Sequence, residues 1–291
     1  MSREAKVILD GHIHIREMGG DAGAFVEQMS EGGVDGGAVV SYSPPSFRGT
    51  EGDDSSARLD DVLRWTDRYD LLFPLFWIDP LEAGASDQVA AAVERGVAGF
   101  KVIPSRHAPG DERAMPVYRQ IAAAGKPILF HSGILWDGRP SGNFCRPCNY
   151  EALLEVDGLR FAVAHISWPW IDECIAVYGK FLNARSNRPD LAIEMFIDLT
   201  PGTPPIYRRD ALTKLFTVGY DVAHNVIFGL DCCTNDYNVS WAAQWIERDS
   251  AIYDELGLGD DVREQVFGAN LRRFVGAADV EVDHRPLRPA E

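Results

Sequence analysis

Two histidines, His12 and His14, stand one residue apart inside the apolar run Lys6–Ile15. Successive side chains of an extended strand leave from opposite faces, so residues two apart share a face. Both imidazoles then point into the same space, an arrangement that suits a divalent metal ion. Lys101, His131, His165 and Asp231 stand at or near the ends of later apolar runs. Taken singly, each has a plainer reading as a surface residue, a hydrogen-bonded core residue or a helix cap. Their shared placement at the ends of runs is what points to chemistry.

The chemistry would be metal-assisted attack by water. Zn2+, or another divalent ion, held by His12, His14 and His131 with Asp231 as ligand or neighbour, keeps one position open. Such an ion lowers the pKa of bound water to about 7. Asp231 is placed to accept the proton and pass it to a leaving group. His165 has two readings, as a ligand to a second metal or as a donor to a substrate carbonyl oxygen. Lys101 can grip a substrate carboxylate, or be a buried amine paired with Asp198 or Glu194.

The long segment after His131 is expected to be a substrate lid. Its Arg139 and Arg146 can each grip a carboxylate through two parallel N–H groups. Trp168 and Trp170, just past His165, would wall an apolar or aromatic pocket, with core packing the equal alternative. Cys145 and Cys148 have the spacing of a zinc or redox pair, but no second pair or nearby histidine accompanies them. Cys232 and Cys233 read as small apolar residues. His107 lies on a loop where it could touch substrate, while His224 and His284 read as solvent residues.

Eight short apolar runs carry these residues: Lys6–Ile15, Ala38–Ser41, Leu71–Ile78, Val97–Ile103, Pro127–Gly133, Leu159–Ile166, Leu191–Leu199 and Val226–Asp231. Helical spacing fills the intervals at Ala24–Glu31, 57–69, Ser86–Arg95, Ala114–Ala124, a short stretch after Asn149, Ile171–Asn183 and Tyr207–Val218. Helices at Trp241–Leu256 and Asp260–Val275 follow the eighth run. A Ser/Asp cap signal opens the helix at Ser86. This alternation predicts a parallel sheet, and the count of eight predicts a (β/α)8 TIM barrel forming a single domain over residues 1–276. Residues 277–291 form a Pro-rich, charged tail, expected to be mobile. Barrels carry their chemistry at the C-terminal ends of the strands. Four of the seven histidines fall on that rim.

Hydrophobic residues at 46% and charged residues at 25% describe a soluble globular chain. A net charge of -16 argues against nucleic acid or an anionic membrane surface as a partner, while leaving room for a local basic pocket. No apolar run reaches the roughly 18 residues of a membrane span. Five scattered cysteines do not form a disulfide framework. With no apolar signal core at the start, the chain reads as cytoplasmic with reduced thiols.

Asp10, Gly11, His12, Ile13 and His14, with His131, His165 and the run Phe228–Asp231, resemble the amidohydrolase superfamily. Gly268–Phe274 resembles the closing helix of its amidohydrolase 2 branch, which holds metal-dependent hydrolases and non-oxidative decarboxylases of aromatic acids. The resemblance covers about residues 7–275. It implies a metal site at the named residues and favours the carbonyl-donor role for His165. It also raises the option of a carboxylated Lys101 bridging two metals. The branch usually has Gly-Ser-Asp or Gly-Thr-Asp where this chain has Gly229, Leu230 and Asp231, a departure that spares the carboxylate. A homodimer is compatible with the resemblance.

The first expectation is a hydrolase opening an amide, lactone or similar bond in a small acidic substrate. The second is a metal-dependent decarboxylase of an aromatic or unsaturated acid, with Asp231 and His165 managing protonation of carbon. A barrel that binds a small molecule without turnover is the third.

Overall fold

The computed structural model describes residues 7–277. Its strands are β1 (Leu9–His14), β2 (Gly36–Val40), β3 (Leu72–Trp77), β4 (Gly99–Val102), β5 (Ile128–Phe130), β6 (Arg160–Val163), β7 (Glu194–Asp198), β8 (Val226–Ile227) and β9 (Cys232–Cys233). All pair in parallel, in the order β8-β7-β6-β5-β4-β3-β2-β1-β9. β8 and β9 are two halves of the eighth strand, separated by residues 228–231, the last of which, Asp231, lies in the left-handed region at φ 58°. The first half pairs with β7 and the second with β1, and the Gly11 N–H donates to the Phe228 carbonyl at 2.9 Å. The sheet therefore closes on itself as the expected (β/α)8 barrel.

The helices are α1 (Ala22–Glu31), α2 (Pro45–Arg48), α3 (Ser55–Thr66), α4 (Ala85–Glu94), α5 (Met115–Ala123), α6 (Ile171–Asn187), α7 (Pro205–Thr217), α8 (Val239–Leu256), α9 (Asp260–Glu264) and α10 (Asn270–Val275). A 3-10 segment, Pro147–Glu155, is the short stretch predicted after the fifth strand. Asp21 caps α1 through the N–H groups of Gly23 and Ala24, and Asn238 caps α8 through Trp241 N–H. The cap expected at Ser86 is not used. Gly84, at φ 82°, takes the cap position of α4, and the Ser86 hydroxyl donates to Gln120 instead. The helix predicted over Asp260–Val275 contains a π turn at Gln265–Ala269, where the Val266 carbonyl accepts the Phe228 N–H at 3.0 Å.

Strands buried on both faces need apolar residues on both, and two core shells result. Leu9, Ala38, Leu75, Leu129, Ala162, Phe196 and Ile227 fill the barrel interior, and Leu271 and Phe274 of α10 pack into the same cluster. Ile13, Val39, Phe100, Phe161 and Ile197 belong to the larger cluster shared with the helices. One extra residue in β1 changes its parity: Asp10 pairs with Gly37 but Ile13 with Val39. Leu9 thus joins the interior cluster, while His12 and His14 reach the same interior at the mouth. Among the described residues no helix is long and apolar enough to cross a membrane. Apart from Ala277, the predicted tail lies outside the described residues.

Candidate active site

His12, on β1, is 1% exposed and is gripped from both sides. Its Nδ1–H donates to Asp198 Oδ2 at 2.8 Å, at the end of β7. That bond leaves a lone pair on Nε2, which lies 3.1 Å from His14 Nε2 and 2.9 Å from Lys101 Nζ. Asp231 Oδ1 stands 3.6 Å from His14 Nε2. One ligand atom each from His12, His14 and Asp231 therefore lie within 4.8 Å of one another, the spacing a single cation needs.

Asp198 in turn accepts the N–H and the hydroxyl of Thr200 on its other oxygen, at 2.8 and 2.5 Å. The eighth strand passes so close that a Cβ on Gly229 would lie 2.2 Å from Thr200 Oγ1 and 3.3 Å from His12 Cβ, so only glycine fits. Leu230 is fully buried, with its N–H held by Asp10 Oδ1 at 2.8 Å. The departure from the Gly-Ser-Asp pattern is thus accommodated in the core.

His131 and His165 form a second pair on the same rim, their ring centroids 4.9 Å apart and that of His165 5.4 Å from His12. His131 Nε2 is buried without a hydrogen-bond partner. His165 Nδ1 faces the Thr200 carbonyl at 3.3 Å. A carbonyl only accepts, so the proton of neutral His165 sits on Nδ1 and Nε2 carries a lone pair. The expected donor role toward a substrate oxygen would need an imidazolium, and burial lowers the His165 pKa to about 4. The ring is aimed by an unusual backbone: His165, Ile166 and Ser167 have φ of 62, 43 and 56°. Three left-handed residues in a row cost on the order of 1–3 kcal/mol each. They are braced by a Ser132–Ser167 hydroxyl bond of 2.8 Å and by Gly202, where a Cβ would lie 2.8 Å from His165 Cβ.

Burial sets the charges. It holds His12, His14 and His131 well below the usual histidine pKa, so their rings are neutral near pH 7. It lowers Lys101 to about 8, against the pull of Asp198 and Asp231. Asp231, with a side chain 36% exposed, stands deep enough in the mouth that desolvation raises it to about 6, opposed by the Lys101 charge.

These groups form the base of a cavity of about 610 Å³. Phe47, Trp77 and Trp168 supply aromatic walls, with Trp77 packed at a tilt against both His14 and Phe47. Trp168 lies on Tyr207 of α7 at 6.3 Å. The segment after β5 contributes Ile134, Trp136 and Arg139, and Trp136 is 82% exposed. Its base is closed by the Gly133 N–H on the Cys145 carbonyl at 3.0 Å.

Some predicted residues lie elsewhere. Arg146 is taken up by Glu173 of α6 at 2.9 Å, packs over Trp170 and does not line this cavity. His107 is buried against Tyr118 at 3.3 Å. Cys145 is buried with its thiol on the Pro104 carbonyl, Cys148 is exposed, and both are free thiols. The sequence offers Asp198 only as a partner for Lys101, although it is the last residue of β7. Arg16 and Arg48 line the cavity without any sequence signal. Arg58, fully buried on α3, donates to the Trp77 carbonyl at 2.8 Å and to Asp54 at 2.7 Å, so it fixes the end of β3.

The chain matches the Amidohydrolase family model (Amidohydro_2) over residues 38–277, a stretch that begins beyond His12 and His14. A search of curated proteins found no match to the sequence. Several solved structures share the fold at low identity. A probable 2-pyrone-4,6-dicarboxylic acid hydrolase from Acinetobacter baumannii, with citric acid bound, is 14% identical with a TM-score of 0.58, over 92% of this chain and 99% of that one. 2,6-Dihydroxybenzoate decarboxylase from Rhizobium is 14% identical with a TM-score of 0.57, over 94% and 99%. An amidohydrolase from Burkholderia multivorans with bound Zn is 14% identical with a TM-score of 0.61, over 93% and 99%. With the family model covering most of the barrel, the chain belongs to the amidohydrolase family.

Proposed function

We propose that this protein is a metal-dependent hydrolase that opens an amide, lactone or similar carbonyl-derived bond in a small acidic substrate. One observation carries the reading: the Asp231 carboxylate stands 3.6 Å from His14 Nε2, at the open side of two neutral imidazoles and inside a cavity of about 610 Å³. Two ring nitrogens and a carboxylate oxygen within 4.8 Å are a donor set that fits a divalent cation, and the unpartnered His131 Nε2 lies on the same rim. His12, His14 and Asp231 would hold it, and zinc suits this mix of nitrogen and oxygen ligands. When bound, such an ion supplies Lewis acidity toward a carbonyl oxygen and makes an attacking water more acidic.

The side chains do the remaining work. Asp231, its pKa raised to about 6, can take a proton from water and deliver it to the leaving atom near neutral pH. His165 Nε2, with its lone pair, accepts a hydrogen bond from a substrate hydroxyl or N–H. Phe47, Trp77 and Trp168 shield the acyl part from water. Arg16 and Arg139 line the cavity, where their guanidinium groups suit a substrate carboxylate.

The test is a panel of lactones, amides and hydroxybenzoates incubated with zinc-replete protein. Acid release without CO2 is expected. CO2 release would assign decarboxylation, in which Asp231 protonates carbon. A zinc content of one ion per chain supports the single site, whereas two would assign Lys101 a bridging carbamate.

A further inference from the structure

A second cavity, of about 440 Å³, opens on the far side of Asp231. It meets the first at Arg16, Pro201 and Asp231, which line both. Its lining includes Leu230 and Trp241, tied together by the indole N–H on the Leu230 carbonyl at 2.9 Å. Glu17, Cys233 and Asp236 line it as well. Asp231 is held between the two spaces by the backbone itself: the next residue, Cys232, is paired in register with Ile13 of β1.

We infer that this second chamber is a leaving-group subsite, and that the substrate spans the mouth with its acyl part among the aromatic walls and an amine-bearing leaving group between Glu17 and Asp236. The inference rests on the hydrolase reading and extends it to the class of bond. Hydrolysis of an amide divides one molecule in two at the nitrogen that receives the proton. The water oxygen joins the carbonyl carbon, its proton passes through Asp231 to the leaving nitrogen, and the C–N bond breaks to give an acid and an amine. A carboxylate that serves both fragments belongs between them, and Asp231 is the acid that lines both cavities. Decarboxylation releases only CO2 and gives a chamber of this size no occupant.

Charge selects the leaving group. An anion in the second chamber would face Glu17, Asp236 and Asp231, opposed by Arg16 alone at the junction. An amine or ammonium meets acceptors on two sides. The first cavity has the opposite character, with three aromatic walls and the guanidinium of Arg139 at its mouth.

Three probes sharing a benzoyl group separate the possibilities: benzamide, N-(2-aminoethyl)benzamide and N-benzoylglycine. In a crystal of the zinc-loaded protein soaked with the aminoethyl amide, the arm is expected between Glu17 and Asp236. In solution the aminoethyl amide should bind more tightly than N-benzoylglycine. Glu17→Gln combined with Asp236→Asn should shrink that affinity ratio about tenfold, the size expected of two solvent-screened ion pairs. Both residues are exposed, so the fold should tolerate the change. An arm in solvent or folded into the aromatic cavity, no ordered amide at all, or an unchanged ratio overturns the subsite. Turnover of the amides without the arm in the chamber would leave the hydrolase reading standing. An arm in the chamber without any turnover would sink that reading and keep the subsite.

Discussion

His12 Nδ1 lies 2.8 Å from Asp198 Oδ2, so a ring on the first strand takes its orientation from a carboxylate on the seventh. The bond fixes which nitrogen carries the proton and turns the Nε2 lone pair toward His14. Outer partners of this kind typically contribute 10–100-fold to metal affinity. Asp198→Asn keeps the volume but has one acceptor oxygen for two sets of donors, His12 Nδ1–H on one side and Thr200 on the other. Zinc affinity should fall about 10–100-fold while circular dichroism stays native. Competition against a chromophoric chelator measures it, and an affinity within twofold of the parent would remove Asp198 from the site.

Asp231 separates ligand from base. Asp231→Asn keeps an oxygen that can coordinate but cannot take a proton at neutral pH. The turnover number should drop about 10²–10⁴-fold, the usual share of a general base, with KM little changed. Measuring zinc content beside the kinetics distinguishes the roles. Loss of activity with the metal retained assigns proton transfer, and loss of both assigns coordination as well.

Zinc affinity should depend on pH through Lys101 and Asp231. The Lys101 ammonium lies 2.9 Å from His12 Nε2, where a cation would bind, and burial lowers its pKa to about 8. Below about 8 it is charged and competes, so affinity rises with pH toward that value and then levels. Below about 6 Asp231 also gains a proton, and affinity falls faster. The histidines do not contribute near neutrality, because burial keeps them unprotonated there. Lys101→Met should flatten the dependence between about 6 and 8. Stability follows the same sign: the unfolded chain binds this proton more tightly, so stability should rise with pH between about 8 and the ordinary lysine value of 10.5. A zinc-binding isotherm that stays constant from pH 6 to pH 9 would refute the competition.

The barrel and most of its rim were legible because two periods are local: alternating strands and helices, and polar residues where apolar runs end. His12, His14, Lys101, His131, His165 and Asp231 all come to one cavity or its walls for that reason. Asp198 obeys the same rule at the end of β7, but an aspartate there looks like any cap until its partner, 186 residues away, is known. The fate of Arg146 was equally non-local, since Glu173 lies 27 residues on in a different element. The extra residue in β1 has no pattern either. Strict alternation gave the right face for the two histidines, but Leu9 reaches the interior only through the bulge. The cap of α4 was misread because Ser86 has the right chemistry, while Gly84 has the backbone freedom at φ 82°.

Arg208 and Asp249 form the most deeply buried ion pair among the described residues, both side chains 0% exposed and bonded twice, at 2.9 and 2.5 Å. Arg208 also donates to the Leu199 carbonyl at 2.6 Å, which couples α7 and α8 to the backbone between Asp198 and Thr200. Removing one partner strands a buried charge, so Asp249→Leu should lower unfolding stability by about 3–5 kcal/mol in urea melts. Replacing both by apolar residues of similar volume, Arg208→Met with Asp249→Leu, should recover most of that loss. Recovery has a second readout, because the double variant restores packing but not the donor to Leu199. If the pair also positions Asp198, the double variant regains stability while zinc affinity stays reduced. Recovery of both would confine the pair to packing α7 against α8.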